Sequence, residues 1–154
     1  MIRYIQDRDL WKFEMRLTKE FHLGISSIPQ IFECWDVADE NDLTQAGSAI
    51  LSYQATLIDR IVSSASLVMA GEFMEEFMVL PYKIAVVNSG VLESEVGDAL
   101  LRKFSDADLA LIYYTTKDGK TKYSLRSEDG RADVSEIAKM FGGGGHRNAS
   151  GFIK

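Results

Sequence analysis

Cysteine is almost missing from this 154-residue chain: Cys34 stands alone, so no intrachain disulfide forms and a four-cysteine zinc site is excluded. Such cysteine usage fits a reducing, cytoplasmic setting. Proline occurs only twice, at Pro29 and Pro81, and histidine only twice, at His22 and His146. Long apolar runs are missing as well. The opening MIRYIQDRDLWKFEMR scatters charges through itself, which suits neither a signal peptide nor a membrane span, and no membrane is expected as a partner. The sequon at Asn148-Ala149-Ser150 therefore reads as idle chemistry. Positive charge is scarce too, with 17 Lys and Arg against 23 Asp and Glu for a net of −6, a balance that argues against a long duplex as partner.

What is present is ordinary globular material, 46% hydrophobic and 26% charged, enough for one domain or one domain with a helical extension. The charge is uneven. Residues 1–116 hold nine Lys and Arg against eighteen Asp and Glu, whereas residues 117–154 hold eight against five, so the last quarter is locally basic and suits a short anionic ligand.

The aromatics Tyr4, Trp11, Phe13, Phe21, Phe32 and Trp35 fall in short irregular pieces broken at Gly24 and Pro29, which reads as a hooked, partly helical packing segment. From residue 41 to about residue 76, apolar residues recur at three- and four-residue steps, which predicts one long amphipathic helix capped by Asn41 or Asp42. Asp36, Asp39 and Glu40 read as solvated charges or charges favoured by the helix dipole. Pro81 then opens an α/β segment. Residues 83–88 read as a buried strand, 93–104 as a helix, 108–115 as a second strand, and 121–127 as a third, joined to the second by the Lys117-Asp118-Gly119-Lys120 turn. Asp133 caps a helix over 134–141, and residues 149–154 supply a last short strand. The expected class is α/β: a helical linker over 1–80, followed over 81–154 by a mixed sheet flanked by helices in the order βαββαβ.

Four glycines, Gly142 to Gly145, precede His146 and Arg147. A glycine run leaves backbone N–H groups free to converge on an anion without Cβ atoms in the way, His146 adds a tunable donor and Arg147 a fork suited to phosphate. Lying between a capped helix and an apolar ending, the run connects two ordered elements and is not a loose tail. A P-loop would need a strand before the run and a lysine where His146 stands, and a Rossmann turn would need a helix after it. Arg126 and Ser127 end the third strand, and the neighbouring strand is expected to carry the glycine loop to the same end of the sheet.

Gly143-Gly144-Gly145-His146, two residues, then Ala149-Ser150-Gly151-Phe152 resembles the GGGHxxA(A/S)G signature of the type-one DHH-associated domain of the DHH phosphoesterase superfamily. Tyr123-Ser124-Leu125-Arg126-Ser127 followed by Asp133-Val134 and Ile137-Ala138 resembles the run that leads to that signature, and the stretch from Ile5 to Phe13 resembles the segment that follows the catalytic domain in oligoribonuclease-like members. The resemblance implies a two-lobed parent. Its DHH lobe holds two divalent metals, usually manganese, and its second lobe grips the phosphate or nucleotide end of a phosphodiester or phosphoanhydride substrate. No Asp-His-His occurs in this chain, and neither histidine lies in a segment matching a metal motif, so the two-metal cage, with ions about 3.5–4 Å apart, cannot be assembled from the family's positions. Asp7 and Asp9 then read as charges in a segment tying lobe to linker and not as a metal pair, and His22 reads as a packed or surface histidine.

The expectation is thus the substrate-recognition half of a DHH-type phosphoesterase, a fragment or a truncated product, not catalytic alone. It would bind short single-stranded RNA, a nucleotide or another phosphorylated ligand. Gly143, Gly144, Gly145 and His146 would donate to phosphate, with Arg126 and Ser127 beside them and Arg147 and Asn148 at the edge; by a weaker carry-over from the resemblance, Asn88 and Ser89 after the first strand would approach the nucleotide. No cofactor is expected in this chain, the two manganese ions belonging to the DHH lobe. The alternatives are an oligomerisation or partner-binding module, with a homodimer formed through residues 1–80, and a stand-alone phosphodiesterase.

Overall fold

The computed structural model of the protein describes residues 1–10, 12–77 and 80–154. The expectation that Trp11 packs with the other amino-terminal aromatics lies outside the described residues. The chain divides into two compact units, Met1–Leu57 and Ile58–Lys154.

In the first unit, helices α1 (Ile2–Asp9), α2 (Thr18–Ser26), α3 (Phe32–Asp36) and the first part of α4 (Glu40–Ser63) surround a small core of Phe21, Ile25 and Leu43. Tyr4 of α1 stacks on Phe21 with ring centroids 4.5 Å apart. Helix α4 starts at Glu40, one residue before the span expected from its apolar period. Its cap is Asp39, whose carboxylate accepts from the N–H groups of Asn41 at 2.8 Å and Asp42 at 3.2 Å. The Asn41 or Asp42 cap is corrected accordingly: both residues lie inside the first turn and supply the orphan donors that Asp39 satisfies.

The expected helix over 41–76 is also corrected. Helix α4 ends at Ser63, strand β1 follows at Ser66–Met69, then the short α5 (Ala70–Phe73) and a 3₁₀ turn over Glu75–Phe77. The hydroxyls of Ser63 and Ser64 donate to the carbonyls of Arg60 and Ile61, closing the helix end with local hydrogen bonds. Beyond that point the three- and four-residue spacing of Ala65, Val68 and Met69 imitates a helix, while β1 pairs antiparallel with the next strand, Leu67 opposite Ala85.

The second unit is the mixed α/β fold read from the sequence. Its remaining elements are β2 (Lys83–Asn88), α6 (Glu93–Lys103), β3 (Leu109–Thr115), β4 (Thr121–Arg126), α7 (Val134–Met140), β5 (Gly144–His146) and β6 (Ala149–Ile153). The sheet has six strands in the order β1-β2-β3-β4-β6-β5. Among the described residues only β2 and β3 run parallel, linked by the α6 crossover; every other pairing is antiparallel.

Both faces carry a core. On one, Ala85, Val87, Ala110 and Ile112 pack against Val96, Leu100 and Leu101 of α6 and Val62 of α4. On the other, Ile84, Val86, Leu111, Leu125 and Phe152 pack against Val134, Ile137 and Ala138 of α7, with Phe77 among Tyr123, Phe141 and Phe152. The continuous burial of β2 and β3 follows from this double coverage.

Candidate functional site

The glycine run has two halves with different structural work. The N–H of Gly142 donates to the carbonyl of Lys139 at 3.1 Å and the N–H of Gly143 to that of Ala138 at 2.9 Å. Gly142 has φ +75°. This is a Schellman ending for α7, in which the residue after the cap takes the left-handed conformation that glycine adopts without strain. The Gly143 amide is therefore engaged by the helix. Gly144 and Gly145 continue as β5, the last strand of the sheet, and are exposed together with His146.

Strand register places the other motif residues. Arg126 of β4 lies opposite Ala149 of β6, and Ala149 lies opposite His146 of β5. Directly paired residues point to the same face, so Arg126 and His146 flank Ala149 on one side of the sheet, two strand spacings or about 10 Å apart. The adjacent row on that face is Ser124, Gly151 and Gly144. The strip between β4 and the sheet edge is thus floored by Ala149, Gly151 and Gly144, with almost no side-chain bulk. It forms an open trough with Arg126 and Ser124 along one side and His146 along the other.

Helix α6 builds the inner wall. Gly97 faces Arg126 so closely that a Cβ there would lie 2.5 Å from the arginine Cγ, so the absence of a side chain at Gly97 makes room for the arginine. The Arg126 guanidinium donates to the Ser94 hydroxyl at 3.0 Å and to the Leu125 carbonyl at 2.9 Å. Its stem is half-buried; burial lowers its pKa, and the charges of Glu93 and Glu95 oppose that. Lys122 donates to both oxygens of Glu93 at 3.1 Å, and Ser124 donates to the same carboxylate. Burial works to raise the Glu93 pKa, but the hydrogen bonds from Ser124 and Lys122 and the charges of Lys122 and Arg126 outweigh it, so the group stays ionised below the usual carboxylate range.

The other expected residues stand elsewhere. Ser127 is buried, and its N–H donates to the carbonyl of Asn148 at 3.0 Å. The Asn148 amide donates to Asp129 at 2.9 Å, and Arg147 donates to the carbonyl of Arg131 at 3.2 Å, so both pin the loop that leads into α7. Asn88 ends β2 opposite Tyr113, which pairs in turn with Tyr123 and, through it, Phe152. That row belongs to the α7 face, so Asn88 is not brought to the Arg126 row. Ser89 is buried in a turn, its hydroxyl donating to the Val91 carbonyl at 2.9 Å.

The motifs contain Arg126, His146, Ala149 and Gly151, but sequence reasoning overlooked Glu93, Ser94 and Gly97, about thirty positions away on the crossover helix. A glycine at the centre of an otherwise regular helix was the available signal, since it costs helix stability unless something presses against it.

Among the described residues no three His, Cys, Asp or Glu side chains gather as a metal site. Asp7 is buried and committed to the chain itself: its carboxylate accepts from the N–H groups of Glu14 at 3.0 Å and Met15 at 3.1 Å and from the Thr18 hydroxyl at 2.5 Å. The described residues do not suit a two-manganese centre. Among the described residues no helix is long and apolar enough to cross a membrane.

Residues 79–153 match the DHHA1 domain family. An uncharacterised protein of Acanthamoeba polyphaga mimivirus is 34% identical over 155 residues, covering 97% of this chain and 36% of the viral protein. The chain thus spans about a third of the length of that curated relative. Among solved structures, a pGpG-specific phosphodiesterase, PggH, from Vibrio cholerae superposes over 99% of this chain and 59% of its own, with a TM-score of 0.56 at 8% identity, which is a likeness of fold. An exopolyphosphatase-related protein from Bacteroides fragilis has a TM-score of 0.47 at 17% identity, over 82% of this chain and 38% of its own. An uncharacterised protein from Helicobacter pylori has a TM-score of 0.40 at 25% identity, over 75% and 28%. With the mixed sheet and its glycine-histidine edge described, the family match identifies residues 79–153 as a DHHA1 domain, the DHH-associated carboxy-terminal domain.

Proposed function

We propose that the second unit is the substrate-recognition part of a DHH-family phosphoesterase. In this reading it holds one phosphate of a short single-stranded RNA or another nucleotidic phosphodiester in the trough and does not cut it alone. The carrying observation is the row Arg126, Ala149, His146. It sets a guanidinium and an imidazole on opposite sides of a bare floor, beside the edge strand β5. Arg126 contributes the donors not already used on Ser94 and Leu125, and its fork geometry suits a phosphate. His146 donates from the exposed edge. Phosphodiester chemistry enters through the DHHA1 match, and the Vibrio protein that shares the fold is named for a pGpG substrate.

Titration with a di- to pentanucleotide RNA while following the amide signals of residues 142–147 tests this reading. Signals of Gly144, Gly145 and His146 should move, and Arg126→Ala should weaken binding by about tenfold or more, the value of a charge-assisted hydrogen bond. Unmoved signals at millimolar ligand would sink it. Manganese added to the chain with RNA is expected to give no hydrolysis above background.

A second reading, an association module in the first unit, is favoured by exposed apolar side chains: Phe32 is 76% and Val37 83% exposed. Sedimentation over a concentration series separates a homodimer from a monomeric binder.

A further inference from the structure

The trough has a wall of opposite charge. Glu93 and Glu95 lie in the first turn of α6, Glu93 holding Lys122 and Ser124 on the trough side of β4. Lys122 and Glu93 neutralise each other. That leaves the Arg126 charge offset by Glu95, with His146 across the floor. The locally basic final quarter of the sequence thus does not make a basic trough: Arg147 is turned to the loop before α7, Lys139 pairs with Glu136, and Lys154 pairs with Glu76. A ligand with several adjacent phosphate charges would meet two cations, Arg126 and Lys122, against two carboxylates, Glu93 and Glu95, and so no net positive charge to offset its own repulsion. A ligand with one phosphate flanked by hydroxyl or amino donors would meet the arginine with its phosphate and a carboxylate with its donors.

Resting on the reading of the trough as a phosphate site, we infer that Glu93 is a specificity-determining residue, which with Glu95 selects a single phosphodiester carried by sugar and base donors and rejects polyphosphate. The chemistry follows from what each group accepts or repels. An ionised carboxylate accepts hydrogen bonds from a ribose hydroxyl or a base amino group, and it repels a second or third phosphate placed within a few ångström. The hydrogen bonds from Lys122 and Ser124 hold the Glu93 carboxylate in one orientation, so this discrimination is built in before a ligand arrives.

The test uses two probes, the dinucleotide ApA and inorganic tripolyphosphate, at matched ionic strength, on the wild-type chain, Glu93→Gln and Glu95→Gln. Wild-type protein should bind ApA at least about tenfold more tightly than tripolyphosphate. Glu93→Gln should reduce that ratio about tenfold or more, by gaining tripolyphosphate affinity and losing ApA affinity. Glu95→Gln removes a charge near Arg126 and should shift the ratio the same way by less. This second variant keeps the test decisive if loss of the Lys122 and Ser124 contacts unfolds the first. Equal wild-type affinity for the two probes, or a ratio unchanged in both variants, overturns the selectivity inference while leaving phosphate binding intact. Failure of both probes to move the amides of Gly144 to His146 overturns the trough reading itself and the inference with it.

Discussion

Asp7 shows how a residue with the right chemistry for a metal serves the backbone instead. Its two oxygens accept three hydrogen bonds, from Glu14, Met15 and Thr18, and so organise the turn between α1 and α2. The hydrogen bond from Thr18 leads in holding its carboxyl below the ordinary aspartate value of 3.8; burial works against this, and the two backbone donors add to the lowering. A depressed folded-state value means that the stabilisation is complete above the unfolded value and fades as pH falls through the folded one. Asp7→Asn should therefore destabilise the first unit near neutral pH, and the difference from wild type should shrink as pH drops below the ordinary aspartate range. Amide exchange of Phe21 and Ile25 at pH 6 and at about pH 3 measures both arms. A difference that is the same at both values would show that the ionised carboxylate is not what matters.

At the scale of elements, the four glycines divide between a helix ending and an edge strand. Gly142 adopts φ +75°, so Gly142→Ala should cost about 1 kcal/mol, read as a lower denaturation midpoint of the second unit, without moving Arg126 or His146. Gly144 has open space where a Cβ would go, so Gly144→Ala tests the opposite case: fold stability little changed, ligand approach hindered.

Much of this level was legible in the sequence. Asp133 caps α7 through Ser135, the Asp-Gly turn joins β3 to β4, and β2 and β3 read as unbroken apolar runs because both faces are covered. Two features were not. Strand β1 was hidden because Ala65, Val68 and Met69 keep a helical period after the serines have ended α4, and only pairing with β2 decides their conformation. The inner wall of the trough was hidden because Glu93, Ser94 and Gly97 reach β4 through the α6 crossover, about thirty residues away in sequence. Local pattern carries no signal for such a meeting beyond the misplaced glycine.

For the whole molecule, the net charge is negative and pairing removes most of the local positive charge. The chain carries −6, and the trough adds little positive charge of its own once Lys122 is paired with Glu93. Affinity for a nucleic acid rises with length only while new phosphates find cations, and the accompanying loss with salt scales with the number of phosphates neutralised, about 0.7 per contact for single strands on logarithmic axes. A protein that holds one phosphate through Arg126 should show a slope of about −0.7, far shallower than a basic-groove binder. Affinity should also stop rising after roughly three to five nucleotides, because the chain carries a net −6 and the trough supplies no further net positive charge. Titrations of oligonucleotides from two to ten residues between about 50 and 200 mM salt measure both quantities. A steep slope with affinity still climbing at ten nucleotides would place the main anion contacts outside the trough.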